Sequence, residues 1–235
     1  MSGNRHVRAL LFDLDGTLVD TETHTDEAIE AVVARHGVAG FALPPVETRG
    51  RTWPDVAGVI LERARIDVPQ AELVAELLDY WNAATARVRP IPGAPDALRA
   101  AAAHQLKLAV VSSSPRAVIA RFLDALGVAA LVGPQARVGG DDVANGKPHP
   151  EGFLMAARAL GVEPAAALVF EDSRAGLLAA RAAGMRSMFV TCCAGDIAAN
   201  AALATASCTD YGALPPSFWR GIAAGDEVLA GRSFA

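Results

Sequence analysis

Cysteines and runs of basic residues are scarce in this sequence of 235 residues. Its three cysteines, Cys192, Cys193 and Cys208, lack the paired spacing of a metal-binding motif. Acidic and basic residues are spread along the chain and give a net charge of -5. This balance argues against nucleic acid or an anionic membrane surface as the principal partner. A small anion must therefore be bound by a few local groups.

Long apolar runs are also missing, and we expect no secretory leader. The Ala-rich tract of residues 197–206 is too short to span a bilayer and carries Asn200 and Thr205. The first residues do not combine a charged segment with an apolar core, so we expect a reduced, cytoplasmic setting. Apolar residues still make up 52% of the chain. They suffice for a sizeable core, in one large domain or in a domain with a smaller insert.

A pair of aspartates follows the first apolar run of the chain. Residues 7–12 are typical of a buried strand of a parallel sheet, and the strand ends at Asp13, Asp15 and Gly16. Because side chains alternate along a strand, both carboxylates point the same way at its carboxyl end, where open α/β sheets bind ligands. Two such close charges predict a divalent cation or a division of acid and base roles. The alternative interpretation is that both are turn residues before Gly16, with Asp20 capping a helix.

The next 70 residues or so carry a helical pattern without a strand signal. We predict helices at residues 22–35, at about 54–65 and after Pro69, the last with Leu73, Leu77 and Trp81 in a stripe that faces the core. The closely spaced prolines and glycine of residues 90–93 predict a hinge that closes this helical insert.

From Ala94 onward, strand and helix patterns alternate, which predicts a doubly wound parallel sheet covered on both faces. The predicted strands are 106–111, 130–132, 136–138, 167–170, 187–190 and an edge strand around Ser207. The predicted helices are 95–103, 115–126, 150–160, 174–183 and about 218–223. We therefore predict an α/β core domain of residues 1–19 and 91–235, with residues 20–90 as a helical cap above the carboxyl edge of the sheet.

Three further polar clusters fall at the ends of predicted strands. Ser112, Ser113 and Ser114 precede Pro115, a residue suited to the first turn of a helix, whose free N–H groups can hold a phosphate. Lys147 lies between glycine and proline in a loop, where it could direct its ammonium group at an anion. Glu171 and Asp172 end another buried strand, and acids at two strand ends suit a hard cation. Taken singly, the same residues could be helix caps or a solvated lysine.

The combination of these clusters, in this order, resembles the haloacid dehalogenase superfamily. The matching motifs are Phe-Asp-Leu-Asp-Gly-Thr-Leu at residues 12–18, a serine after the second strand, Gly-Lys-Pro-His-Pro at 146–150 and Glu-Asp-Ser at 171–173. The similarity runs over residues 7–190 and implies a Rossmann-like core. A helical cap after the first strand resembles the branch that contains β-phosphoglucomutases and sugar-phosphate phosphatases, above all the phosphatases of 2-deoxyglucose 6-phosphate and other hexose or hexitol phosphates.

The resemblance implies a role for each matching residue. Asp13 would be the nucleophile that becomes an aspartyl phosphate, and Asp15 the acid that protonates the leaving alcohol and then the base that activates water. The implied cofactor is Mg²⁺, held by the Asp13 carboxylate, the Asp15 main-chain carbonyl, Asp172 and, less securely, Glu171. The implied phosphoryl ligands are Ser112, the Ser113 amide and Lys147.

The sequence leaves two other functions open. A phosphoglucomutase would share every core residue but return the phosphoryl group to a second hydroxyl. Thr17 favours the phosphatase, because the mutases that this sequence resembles often have valine at that position. A non-catalytic metabolite-binding regulator is opposed by the intact set of polar residues. In the cap we expect Arg51 to contact the substrate, whereas His24 is more typical of a surface or packing residue. The expected partner is a small phosphorylated metabolite, bound by a monomer without nucleic acid or membrane partners.

Overall fold

A parallel β-sheet organises the fold, and in the computed structural model, which describes residues 6–85, 89–226, 229 and 231–235, it has seven strands. They are β1 (Ala9–Phe12), β2 (Lys107–Val111), β3 (Arg137–Val138), β4 (Ala167–Glu171), β5 (Arg186–Val190), β6 (Ala206–Cys208) and β7 (Ser233–Phe234). The order is β3-β2-β1-β4-β5-β6-β7, and all neighbouring pairs are parallel. The chain thus winds outward from both sides of β1, and the predicted α/β class is confirmed.

The segment between β1 and residue 85 is helical in the structure, as predicted. It contains α1 (Glu22–Arg35), α2 (Pro45–Thr48), α3 (Trp53–Ala64) and α4 (Gln70–Ala84). Helix α4 packs against α1 and α3, and its predicted stripe of Leu73, Leu77 and Trp81 is buried. Helix α3 begins one residue before the predicted start because the Thr52 hydroxyl accepts a hydrogen bond from the Asp55 N–H at 3.3 Å. We refer to α1–α4 as the cap.

The helices after the cap alternate with the strands. They are α5 (Ala94–Ala103), α6 (Arg116–Ala125), α7 (Glu151–Leu160), α8 (Arg174–Ala182), α9 (Ile197–Ala201) and α10 (Pro216–Ala224). Every residue of β1 and of β4 is buried. Because successive side chains of a strand point to opposite faces, this burial means that both faces of the central sheet are covered.

The chain crosses between core and cap twice, and the two crossings are hydrogen-bonded to each other. The Asp20 N–H donates to the Arg89 carbonyl at 2.9 Å, and the Ile91 N–H donates to the Leu18 carbonyl at 3.0 Å. Val19 and Pro90 form an antiparallel bridge between these bonds. The predicted hinge at residues 90–93 therefore overlaps one of two crossing segments, residues 18–20 and 89–91, that are bonded to each other. Residues 86–88 of the predicted cap and residues 1–5, 227, 228 and 230 of the predicted core lie outside the described residues.

One predicted strand is wrong. Residues 130–132 were expected to be a short strand, but Ala129–Leu131 forms a turn of 3₁₀-helix, with the Leu131 N–H bonded to the Val128 carbonyl. Alanine has a low preference for strands, and β3 already occupies the place beside β2. The pattern also missed the one-turn helix α2, helix α9 and the edge strand β7. None of the helices in the described residues is long and apolar enough to cross a membrane.

Candidate active site

The carboxyl ends of three neighbouring strands bring the predicted site residues to one edge of the sheet. Phe12 lies in register with Val110 of β2 and with Phe170 of β4. Asp13 follows directly after β1, Ser112 after β2, and Glu171 ends β4. The winding reverses at β1, which is where open α/β sheets form their ligand crevice. The strand registers therefore converge on the place where the sequence predicted a site.

Lys147 joins this edge from a loop far along the chain. Its Nζ lies 2.5 Å from Asp13 Oδ1 and 2.5 Å from Glu171 Oε1. Lys147 is only 7% exposed and Glu171 is fully buried. Burial lowers the pKa of Lys147, but the charges of Asp13 and Glu171 outweigh it, so the pKa lies above its ordinary value. The ammonium group is therefore held charged inside the site.

Glu171 is fixed by its own neighbours as well as by the lysine. Its Oε2 accepts hydrogen bonds from the Ser173 N–H at 2.8 Å and from the Ser173 hydroxyl at 2.9 Å. Gly176 on α8 leaves room for this carboxylate, because a Cβ at that position would overlap it. Both oxygens of Glu171 thus have protein partners, and Glu171 helps to position Lys147.

Asp13, Glu171 and Asp172 form a cluster that could hold a metal ion. One carboxylate oxygen from each lies within 4.8 Å of the others, and all three residues are buried. Thr17 donates its hydroxyl to Asp172 Oδ1 at 3.1 Å, which orients that carboxylate. Gly16 has a φ of 75°, and a Cβ there would overlap the Asp172 side chain.

The charges of the cluster favour a cation. Burial raises the pKa of Asp13 well above its ordinary value, against the lowering effect of Lys147, and Glu171 and Asp172 raise it further. Three carboxylates and one ammonium leave a net negative charge, and oxygen donors of this kind suit a hard divalent cation such as Mg²⁺. The residues present therefore fit the predicted metal.

Asp15 lies in a separate ring of hydroxyl groups. Its Oδ1 accepts from the Thr21 hydroxyl at 2.8 Å, and its Oδ2 accepts from Ser112 at 3.1 Å and Ser114 at 2.9 Å. Burial raises its pKa, and the hydrogen bonds from these hydroxyls oppose the rise. The two aspartates thus have different surroundings: Asp13 faces the lysine and the acidic cluster, whereas Asp15 faces hydroxyls.

The predicted phosphate-binding serines have side-chain partners in the protein. The Ser112 and Ser114 hydroxyls bond to Asp15, and the Ser113 hydroxyl donates to the Gly50 carbonyl of the cap at 2.9 Å. Ser113 therefore ties the loop after β2 to the cap. Sequence reasoning missed Ser114 and Thr21 as partners of Asp15, although the serine repeat and the start of α1 placed both close to the site.

A cavity that opens to solvent lies between the core and the cap above the aspartates. The core contributes Asp13 and Asp15 to its lining, and the cap contributes Arg49, Arg51 and Trp53. Arg51, which the sequence predicted as a substrate contact, is exposed. Arg49, which the sequence did not single out, donates from Nη1 to the Cys193 carbonyl at 2.8 Å.

His24 behaves as expected for a surface residue. Its Nδ1 lies 3.1 Å from Glu27 Oε2 on the same helix. The lining of the cavity includes its neighbour Thr25 instead.

These features agree with a comparison against protein families. A family model described as haloacid dehalogenase-like hydrolase matches residues 7–184, so the chain belongs to the haloacid dehalogenase-like hydrolases. Its relatives include phosphatases. Validoxylamine A 7'-phosphate phosphatase of Streptomyces hygroscopicus subsp. limoneus is 36% identical over 187 residues, 76% of this chain and 83% of the relative. Phosphoglycolate phosphatase of Escherichia coli O157:H7 is 33% identical over 220 residues, 81% of this chain and 84% of the relative.

The solved structures agree on the fold. β-Phosphoglucomutase from Clostridium difficile superposes with a TM-score of 0.78, covering 93% of this chain and 97% of that one at 23% identity. The predicted membership of the haloacid dehalogenase superfamily is confirmed, with phosphatases among the relatives and a β-phosphoglucomutase among the proteins that share the fold. The chain is a phosphoric monoester hydrolase. A purely non-catalytic regulator is not what these matches support.

Proposed function

We propose that this protein is a Mg²⁺-dependent phosphatase of a small sugar phosphate, and that it works through an aspartyl phosphate on Asp13. The observation that carries the proposal is the buried meeting of Asp13, Lys147, Glu171 and Asp172 at one edge of the sheet. A phosphate dianion can approach a carboxylate only where positive charge offsets the repulsion. Lys147 supplies one such charge directly beside Asp13.

In the first step, an Asp13 oxygen attacks phosphorus and the bond between phosphorus and the leaving oxygen breaks. Asp15 gives its proton to that oxygen, so the leaving group departs as an alcohol. Lys147, Ser112 and the Ser113 amide hold the phosphoryl oxygens. Bound Mg²⁺, with Asp13, Asp172 and the Asp15 main-chain carbonyl as ligands and Glu171 beside them, would add positive charge and help align the phosphoryl group.

In the second step, Asp15 takes a proton from water, and the water oxygen attacks the phosphorus of the aspartyl phosphate. The Asp13 carboxylate is released with inorganic phosphate. The same carboxyl group must be protonated in the first step and ionised in the second. A raised pKa, tempered by hydrogen bonds from Thr21, Ser112 and Ser114, suits this alternation.

The chemistry of the residues that line the cavity suits a sugar phosphate. Arg51 and Trp53 offer a charged group and an aromatic face for a polar, ring-shaped leaving group. One relative is named for the 7'-phosphate of validoxylamine A, and another for phosphoglycolate. The alternative is phosphoryl transfer of the β-phosphoglucomutase type, which the fold also accommodates.

One assay separates the two reactions. Phosphate release is measured on a panel of sugar phosphates, and conversion of glucose 1-phosphate to glucose 6-phosphate is measured in parallel, primed with the bisphosphate. If the protein is a phosphatase, the rate of phosphate release should saturate with the concentration of a preferred sugar phosphate. Isomer conversion without net phosphate release would refute hydrolysis as the main reaction.

Removal of metal should stop the reaction reversibly. We expect EDTA to abolish phosphate release and added Mg²⁺ to restore it, because Asp13, Glu171 and Asp172 then regain their counter-charge. Asp172→Asn should weaken Mg²⁺ activation by at least about 100-fold, since loss of even outer-shell partners of a metal costs about 10- to 100-fold. The measurement is a Mg²⁺ titration of activity and of the melting temperature, which bound metal raises.

The matched control for this titration is Asp124→Asn, which removes an exposed carboxylate of α6. It should leave the Mg²⁺ dependence unchanged. Full activity in the presence of EDTA, or an unaltered Mg²⁺ titration in Asp172→Asn, would contradict the assigned metal site.

Arg51→Ala should raise KM for the preferred sugar phosphate by about tenfold, the usual size of a hydrogen bond to a charged group. We expect little change in kcat, because Arg51 contacts the part of the substrate that does not react. Steady-state kinetics check this, with Arg220→Ala, an exposed arginine of α10, as the control. Unchanged KM across the substrate panel would remove Arg51 from the binding site.

A further inference from the structure

Two adjacent cysteines lie beside the cap, at the carboxyl end of β5. The Sγ atoms of Cys192 and Cys193 are 3.9 Å apart. Cys192 is exposed and Cys193 is partly exposed, whereas Cys208 is buried. The pair is therefore accessible to a small thiol reagent, and the third cysteine serves as an internal comparison.

Cys193 is connected to the catalytic cavity through the cap. Its carbonyl accepts the hydrogen bond from Arg49 Nη1 at 2.8 Å, and Arg49 lines the cavity above Asp13. Its Sγ lies 3.9 Å from Asp20 Oδ1, and the Asp20 N–H is part of the paired crossing between core and cap. A change in the conformation of Cys193 would thus reach both the cavity wall and the hinge.

We propose that Cys192 and Cys193 form a reversible thiol modification site, in which a disulfide between them displaces Arg49 and lowers the phosphatase activity. The oxidant is a low-molecular-weight disulfide. The Cys192 thiolate attacks one sulfur of the reagent, forms a mixed disulfide and expels the first thiolate. The Cys193 thiolate then attacks the Cys192 sulfur, forms the Cys192–Cys193 bond and expels the second thiolate. The two protons lost by the cysteines pass to the two released thiols.

The backbone explains why closure would act on Arg49. The Cys192 N–H is held by the Thr209 carbonyl at 2.9 Å, so its side of the pair is anchored to the chain after β6. To bring the Sγ atoms of Cys192 and Cys193 into bonding distance, the peptide group between the two residues must rotate. The Cys193 Cα and carbonyl move with it. The hydrogen bond to Arg49 is then lost.

The bond would also be easy to reduce. Disulfides ordinarily join Cα atoms about 4.4–6.8 Å apart, whereas adjacent Cα atoms are only about 3.8 Å apart. A disulfide under such constraint belongs to the labile, regulatory class. The hydrogen bond with Cys193 lowers the pKa of the Cys192 thiol despite its partial burial, which favours Cys192 as the attacking residue.

The test uses the full-length enzyme and glutathione disulfide. The inference rests on the proposed function only in assigning Arg49 to the substrate cavity, so the chemical readout is kept separate from activity. Peptide mass spectrometry should show that the peptide with both cysteines loses two hydrogen atoms and regains them with dithiothreitol. In parallel, kcat/KM should fall by about tenfold, the usual effect of a lost hydrogen bond to a charged group, and recover on reduction.

Variants distinguish the outcomes. Cys192→Ser and Cys193→Ser should keep their activity in glutathione disulfide, whereas Cys208→Ser should respond as the wild type does. In Arg49→Ala, which lowers activity by itself, oxidation should cause no further loss. A mixed disulfide without closure, a fall in activity in Cys192→Ser, or an undiminished fall in Arg49→Ala would overturn the proposal. Disulfide formation in an enzyme that hydrolyses no sugar phosphate would count against the proposed substrate and not against the thiol chemistry.

Discussion

Asp13→Asn is expected to lower kcat/KM by at least about a thousandfold, since loss of a nucleophile removes most of an enzyme's rate enhancement. Asparagine has nearly the shape of Asp13 but no carboxylate oxygen to attack phosphorus, so the aspartyl phosphate cannot form. It also removes one of the three carboxylates around the proposed metal site. The measurement is phosphate release from the preferred sugar phosphate at saturating Mg²⁺.

Asp67→Asn, which changes an exposed aspartate of the cap, is the matched control and should retain full activity. Circular dichroism should show the same helix content in both variants, because the Asp13 substitution leaves the packing of β1 unchanged. If Asp13→Asn kept even a tenth of the wild-type rate, Asp13 could not be the nucleophile.

Asp15→Asn should lower kcat/KM for a sugar phosphate by roughly 10²- to 10⁴-fold, the usual contribution of a general acid. The loss should depend on the leaving group. A sugar alkoxide needs a proton to depart, whereas p-nitrophenolate leaves readily without one. With p-nitrophenyl phosphate the variant should therefore still form the aspartyl phosphate, but hydrolyse it slowly because water lacks its base.

The pH profile supplies a second readout for the same variant. Burial raises the pKa of Asp15, and the acid form is the one needed to protonate the leaving oxygen. For a sugar phosphate, kcat/KM should therefore decline as pH rises through this pKa, and the decline should be missing in Asp15→Asn. An equal decline in the variant, or an equal loss for both leaving groups, would contradict the assignment of Asp15 as the acid.

Much of the fold follows from local patterns in the sequence. The alternation of apolar runs and amphipathic helices predicted β1 and five of the other six strands. Helix α1 has the predicted bounds of Glu22–Arg35. The failures lie where local signals are weak. Ala129–Leu131 has too few β-branched residues to decide its conformation, and β7 exists only because Ser207 and Cys208 offer an edge to pair with. Such edges are formed by distant parts of the chain.

The candidate site likewise contains residues that local motifs predict and contacts that they do not. Asp13, Asp15, Lys147 and Asp172 could be predicted because each lies in a short motif, which for the three aspartates follows a strand and for Lys147 lies in a loop. The hydrogen-bond partners of these residues could not be predicted, because they come from distant parts of the chain. Ser114, which bonds to Asp15, lies 99 positions from it. Arg49 was missed for a related reason: its contact with the Cys193 carbonyl spans 144 positions.

The central claim is that phosphorus becomes bonded to the carboxylate of residue 13. Asp15→Asn, mixed with p-nitrophenyl phosphate and Mg²⁺ and quenched during turnover, can be treated with borohydride, which reduces an aspartyl phosphate to homoserine. Peptide mapping should then find homoserine at position 13, and none when substrate is omitted. Homoserine at another aspartate, or its absence from a sample that has released a burst of p-nitrophenol, would contradict the account.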